Sequence, residues 1–96
     1  VKLVYSQEAV ADLVRLRAFI ATQDPSAAAR VASDLLAGID RLCQFPEMGR
    51  NVAEAPQPDA VRDFNFGKYV VRYAAHDNAV VILRVWHHFE SRQGSA

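Results

Sequence analysis

The hydrophobic pattern of this chain changes period once, at Phe45, Pro46, Glu47, Met48, Gly49 and Arg50, and that change restricts the folds open to it. Before this hinge, apolar residues recur every three to four positions, the period of an amphipathic helix. After it they alternate, the period of a strand. Pro46 and Gly49 end one regime and allow the other to begin, while Arg50 closes the turn with a permanent cation. Pro46, Gly49 and Arg50 are therefore read as a structural hinge.

Upstream of the hinge, Lys2–Tyr5 alternates polar and apolar and predicts a short strand that needs a partner in a sheet. Ser6 is placed to cap a helix, with Glu8 in its first turn. Ala9, Leu13, Leu16 and Ile20 form its stripe, widened by Val10 and Phe19, while Asp12, Arg15 and Arg17 take less apolar positions. Asp24 as cap and Pro25 at the first helical position start a second helix, with a stripe of Ala28, Val31, Leu35, Ile39 and Leu42 widened by Ala32 and Leu36. The short connection predicts an antiparallel helical hairpin. Gly38 costs about 1 kcal/mol against alanine inside a helix, acceptable where another element must approach closely.

Downstream, Pro56 and Pro58 mark residues 51–60 as a loop, and three strands follow over 61–66, 69–75 and 79–88. Asp77 and Asn78 suit a tight turn between the last two. The final strand is apolar on both alternating sets, as expected of an inner strand covered by helices on one face and by loop or partner on the other. Strict alternation puts Arg84 with Val80, Ile82 and Trp86, opposite Val81, Leu83 and Val85. The expected fold is α+β: an N-terminal strand and a helical hairpin packed on a small antiparallel β-sheet, one domain over residues 1–96.

The chain has 96 residues, enough for one modest core and too few for two. Eleven basic and eleven acidic residues cancel, so no global field draws it to nucleic acid. Nine of the bases are arginine, four of them (Arg62, Arg72, Arg84 and Arg92) late in the chain, which leaves local clusters open. No apolar run approaches the roughly 20 residues needed to span a bilayer, and the lone Cys43 fits a buried thiol in a reducing compartment. The expectation is a soluble, cytoplasmic protein. His87 and His88 point to opposite faces of a strand, and His76 stands in a turn without a ligand cluster, so neither a metal nor a cofactor is expected.

Two chemistries stay open. Arg62, Arg72 and Arg84 are able to contact phosphate, and His87 or His88 to move a proton, the minimum for metal-free RNA cleavage. Alternatively, Arg84 in an apolar strand needs a partner or solvent, and a face bearing Arg84, Trp86 and His88 suits contact with another macromolecule.

The order of these features resembles the ParE/RelE superfamily of toxins from bacterial type II toxin-antitoxin pairs, and most its ParE branch. The resemblance rests on Val4, Tyr5 and Ser6 followed by Ala9, Asp12 and Leu13, the 45–50 turn, the Arg62 strand, the strand Tyr69, Val70, Val71, Arg72 and Tyr73, and the closing residues 81–87. It implies a helical hairpin on an antiparallel sheet. ParE-like members poison DNA gyrase without cutting nucleic acid, whereas RelE-like members are small RNases that cleave messenger RNA on the ribosome. RelE-like enzymes usually carry further lysines and a terminal tyrosine; here Lys68 is the only lysine after Lys2, and Phe89 has no hydroxyl. The resemblance therefore implies a gyrase inhibitor without catalytic residues, contacting its target through Arg84, Trp86, His87, His88, Phe89 and Arg92. The alternatives are an RNase using Arg62, Arg72, Arg84, His87 and His88, or a non-toxic binding module. It further implies a ParD-like antitoxin with a ribbon-helix-helix domain, operator DNA contacted only through that antitoxin, and no membrane. The expected antitoxin surface is Val10, Leu13, Val14, Leu16, Phe19 and Leu36. One departure stands out: Phe89 and Glu90 occupy positions where basic residues commonly follow the histidine.

Overall fold

Ser6 starts the first helix as its sequence position requires: its backbone is extended and its Oγ accepts the Ala9 amide at 3.0 Å. The computed structural model describes residues 2–52, 61–76 and 78–88. Within them the elements are β1 (Lys2–Tyr5), α1 (Gln7–Gln23), α2 (Pro25–Gln44), β2 (Arg50–Asn51), β3 (Val61–Phe66), β4 (Tyr69–His76) and β5 (Ala79–His87). Asp24 ends α1 and caps α2, its carboxylate accepting from the Ser26 and Ala27 amides, with Pro25 in the first turn. The expected Pro56 and Pro58 loop, Asp77, Phe89, Glu90 and Arg92 lie outside the described residues.

The five strands form one sheet in the order β1-β5-β4-β3-β2. The α+β architecture and the helical hairpin agree with the sequence reading, and β2 to β5 pair antiparallel. β1 differs: it lies parallel to β5, with Tyr5 beside Ile82, so the sheet is mixed. Alternation of side chains carries no information on strand direction. A parallel neighbour becomes possible because the helices and the other strands lie between the two in sequence.

Helix and sheet meet in a core of Ala9, Leu16, Leu35, Ile39, Leu42, Val71, Tyr73, Val80, Ile82 and Val85. Each large member fully withdrawn from water contributes about 1.5–3 kcal/mol. Gly38 permits the close approach of the β3–β4 turn to α2, since a Cβ there would lie 2.3 Å from a ring carbon of Phe66. Gly67, at φ 57°, turns β3 into β4.

The strict alternation expected along β5 is corrected by a bulge. Register passes from Arg72 opposite Arg84 to Tyr73 opposite Ile82, leaving Leu83 as the extra residue. Val85 therefore joins Val80 and Ile82 on the helix side instead of opposing them, and all three are fully buried. On the face away from the helices, Val70, Ala74 and Trp86 are also buried.

Candidate functional site

The bulge sits where β1 has ended, so the backbone of β5 beyond Ile82 needs new partners on that edge. α1 supplies them. Ser6 donates through Oγ to the Leu83 carbonyl at 2.9 Å, and the Val85 amide donates to Asp12 Oδ2 at 2.8 Å. Arg15 donates to the Val85 carbonyl at 3.2 Å. Arg84 closes the arrangement with a bidentate bond to Asp12, from Nε at 2.7 Å and Nη2 at 3.1 Å, while Arg15 reaches the same carboxylate. Asp12 is only 2% exposed. Burial pushes its carboxyl pKa up, but the bonds from Arg84, Arg15 and the Val85 amide outweigh burial and hold it below the usual aspartate value. The same hydrogen bond raises the pKa of Arg84.

Arg72 takes a different route. It binds Asp63, directly opposite on β3, at 2.8 and 3.0 Å, and its guanidinium lies 5.3 Å from the centre of the Trp86 ring. Arg62, one residue off in register, points to the other side of the sheet. There it donates to the Gly49 carbonyl at 2.8 Å and the Glu47 carbonyl at 3.4 Å. Beside it, the Tyr73 hydroxyl accepts the Gly49 amide at 2.9 Å and donates to the Pro46 carbonyl at 2.6 Å. The hinge is thus fastened by a tyrosine and an arginine from the sheet, with Pro46 and Gly49 inside the fastening and Arg50 exposed at the start of β2.

His87 is buried on the helix side, its ring 5.5 Å from Phe19 and 4.9 Å from Tyr69. His88 is exposed, and its amide donates to the Lys68 carbonyl at 2.8 Å. The residues that sequence offers for RNA cleavage therefore do not converge. Arg62 and His87 lie toward the helices, Arg72 lies on the opposite face, and Arg84 is turned onto α1. The described residues expected to meet a target are likewise spread between a buried ring, an ion pair, the outer sheet face and the exposed end of β5. Among the described residues no three His, Cys, Asp or Glu side chains group as metal ligands.

The apolar helix residues separate into two populations. Leu16 belongs to the core, Leu13 packs against its edge, and Phe19 contacts His87. Val10, Val14 and Leu36 are 51%, 67% and 53% exposed. Val10 and Val14 are four positions apart, so α1 presents them on one face. Sequence reading missed Asp12 and Tyr73. Asp12 was detectable: Ala9, Asp12 and Leu16 share one helical stripe and are all buried, so its charge demanded a partner.

A groove of about 910 Å³ separates α2 from the β3–β4 turn. Val31, Leu35, Phe66 and Tyr69 line it, with Arg30 and Arg41 on its α2 wall.

The model of the ParE toxin of the type II toxin-antitoxin system parDE matches residues 3–91. Among curated proteins, Toxin RelE1 of Caulobacter vibrioides is 33% identical over 94% of this chain and 96% of its own length. Toxin RelE2 of the same organism is 36% identical over 90% and 93%. Among solved structures, a chain of the chromosomal ParDE TA system from P. aeruginosa superimposes with a TM-score of 0.74 at 20% identity, covering 90% of this chain and 94% of that one. A chain of the toxin-antitoxin complex RelBE2 from Mycobacterium tuberculosis gives 0.62 at 24%, covering 90% and 95%. Both structural likenesses concern the fold.

Proposed function

Because this chain belongs to the ParE toxin family of type II toxin-antitoxin systems, within the ParE/RelE superfamily, we propose that it acts as a binding poison of DNA gyrase in the cytoplasm. A ParD-like antitoxin neutralises it, and that antitoxin alone carries the ribbon-helix-helix contact with operator DNA. The dispersal of Arg62, Arg72 and Arg84 carries this reading. Each guanidinium is bonded to a carboxylate or carbonyl of its own fold. A phosphate would have to displace those acceptors, and the ring of His87 packs on Phe19 and Tyr69. Metal-free RNA cleavage needs an acid, a base and a cation at one phosphate. A poison needs only a surface, and the exposed end of β5 at His88 offers one near Phe89 and Arg92 in sequence.

The antitoxin reading is supported by Val10, Val14 and Leu36, large apolar side chains left in water on a chain of zero net charge. Of the other residues expected there, Leu13 and Phe19 are half-buried and Leu16 belongs to the core.

The second reading, a ribosome-dependent RNase, is favoured by one observation: the curated relatives are named RelE toxins. Purified toxin added to gyrase and supercoiled DNA separates the two. Cleaved gyrase-DNA complexes that diminish with His88→Ala support the poison; gyrase left unaffected while message is cut supports the RNase.

A further inference from the structure

β1 forms one margin of the sheet, and its bonds to β5 fix which of its backbone groups are left over. The Lys2 amide donates to the Asn78 carbonyl at 2.8 Å, and the Ser6 amide to the Ile82 carbonyl at 2.9 Å. Peptide groups of successive residues point to opposite sides of a strand, so Val4 is turned inward with Lys2 and Ser6. Leu3 and Tyr5 therefore direct their N–H and C=O groups to the open margin, where no further strand lies among the described residues. On the helix side Tyr5 packs against the core, whereas Leu3, two positions back on the same face, is 37% exposed.

Length, register and charge restrict what completes this margin. From Leu83 onward α1 takes over the edge of β5 through Ser6, Asp12 and Arg15, so an added strand has room only beside the four residues of β1. Two outward residues separated by one inward residue complement themselves under a two-fold axis through Val4. Leu3 of one copy then exchanges both its hydrogen bonds with Tyr5 of the other, and the reverse pair does the same. Val4 meets Val4, and each exposed Leu3 is covered by a tyrosine ring.

A lysine on an edge strand ordinarily keeps other strands away. In this register Lys2 stands opposite Ser6 of the other copy, two residues from Glu8 in the first turn of α1. Lys2 and Glu8 are exposed, and neither belongs to an ion pair among the described residues. The two-fold brings them together at both ends of the added strand, so the charge that repels a foreign edge suits a second copy. The opposite margin has no such fit: β2 has two residues, one of them an arginine.

We propose that two copies of this chain associate through β1, antiparallel across Val4, joining two five-stranded sheets into one, with Lys2 of each copy against Glu8 of the other. The association does not depend on the activity or the antitoxin proposed above. A short edge and two exposed ion pairs make a small interface, so the dimer is weak, with a dissociation constant of about 0.1 mM.

The test follows the mass of the native chain by sedimentation and its ¹⁵N amide spectrum from about 1 mM down to about 0.02 mM, which brackets that constant. On dilution the mass should fall from dimer toward monomer. Hydrogen exchange at the Leu3 and Tyr5 amides should quicken while Val80 stays protected. Lys2→Glu and Glu8→Lys should each weaken association by at least about fivefold at low salt. Mixed in equal amounts, the two variants should associate again, because every glutamate then faces a lysine across the axis. Mixing would not repair a lost fold. A native chain that is monomeric at about 1 mM overturns the proposal. So do dilution shifts centred on Val10, Val14 and Leu36 or on the groove beside α2, or a mixture that stays monomeric. None of these readouts involves gyrase, message or antitoxin, so failure here is distinguishable from failure of the function proposed above.

Discussion

Asp12 and Arg84 lie 72 residues apart in sequence and meet through two hydrogen bonds, at 2.7 and 3.1 Å, across the junction of α1 with the bulged part of β5. The contact does more than neutralise an arginine. Asp12 also accepts the Val85 amide, so one carboxylate substitutes for the strand that β1 no longer provides. An arginine that sequence alone offers to a phosphate or a foreign surface is thereby built into the fold.

Asp12→Ala should therefore be among the more damaging single changes on α1. It leaves the Val85 amide buried without its acceptor, at about 1–3 kcal/mol, and removes the partner of a guanidinium. Arg84 is 36% exposed and can turn to water, so the loss should fall short of that for a fully buried pair. Arg84→Met should cost less than Asp12→Ala, because it retains the Asp12 bonds to Val85 and Arg15. Urea unfolding of the two variants checks the order.

The same carboxylate gives a pH dependence with a defined sign. Its folded pKa lies below the unfolded value of about 3.9, so the folded state holds the proton less readily. The stabilisation is fully present above the unfolded value and is lost as pH falls through the depressed folded one. Melting temperatures followed into acid should fall over that window in the native chain, and Asp12→Asn should flatten that part of the profile.

At the hinge, Tyr73→Phe removes both the acceptor of the Gly49 amide and the donor to the Pro46 carbonyl, with an expected loss of about 1–3 kcal/mol. Gly49→Ala places a methyl 2.7 Å from the Tyr73 oxygen and should destabilise by forcing that oxygen aside. Because both changes break the same contact, the double variant should lose less than the sum of the singles in chemical denaturation.

On the helix ridge, Val10→Glu with Val14→Glu should leave circular dichroism and melting nearly unchanged, since both side chains are in water. Neutralisation by the antitoxin should weaken by about tenfold or more, the scale of one or two hot-spot residues. Leu16→Glu, at 2% exposure, should instead unfold the chain. Titration of each purified variant with antitoxin distinguishes a lost surface from a lost fold.

How much of this was legible in the sequence depends on the physical signal each feature leaves. The caps at Ser6 and Asp24, the two helices and the three long strands follow from local chemistry and periodicity, and they fold as read, while Val10, Ala32 and Leu36, expected to widen the buried stripes, lie in water. The parallel pairing of β1 leaves no such trace, because Tyr5 beside Ile82 alternates the same way in either direction. Leu83 looks like any other apolar residue of β5, so nothing local announces the bulge that reassigns Val85. Sequence identified Arg62, Arg72 and Arg84 as cations in strands. Asp63 was legible as an acceptor for Arg62 or Arg72, and Arg72 takes it; the hinge carbonyl that holds Arg62 and the helix carboxylate, 72 residues away, that holds Arg84 were not. The exposure of Val10 and Val14 beside the buried Leu16 is likewise a property of where α1 crosses the sheet.

The account turns on those arginines serving structure and surface, with no bond broken by the chain itself. The most direct measurement follows end-labelled message on translating ribosomes with purified toxin, the message in large excess. The account predicts that the message stays whole at every toxin concentration, by the native chain and by His88→Ala alike. Cuts that accumulate over many turnovers and vanish with His88→Ala or Arg62→Ala in a folded variant would contradict it.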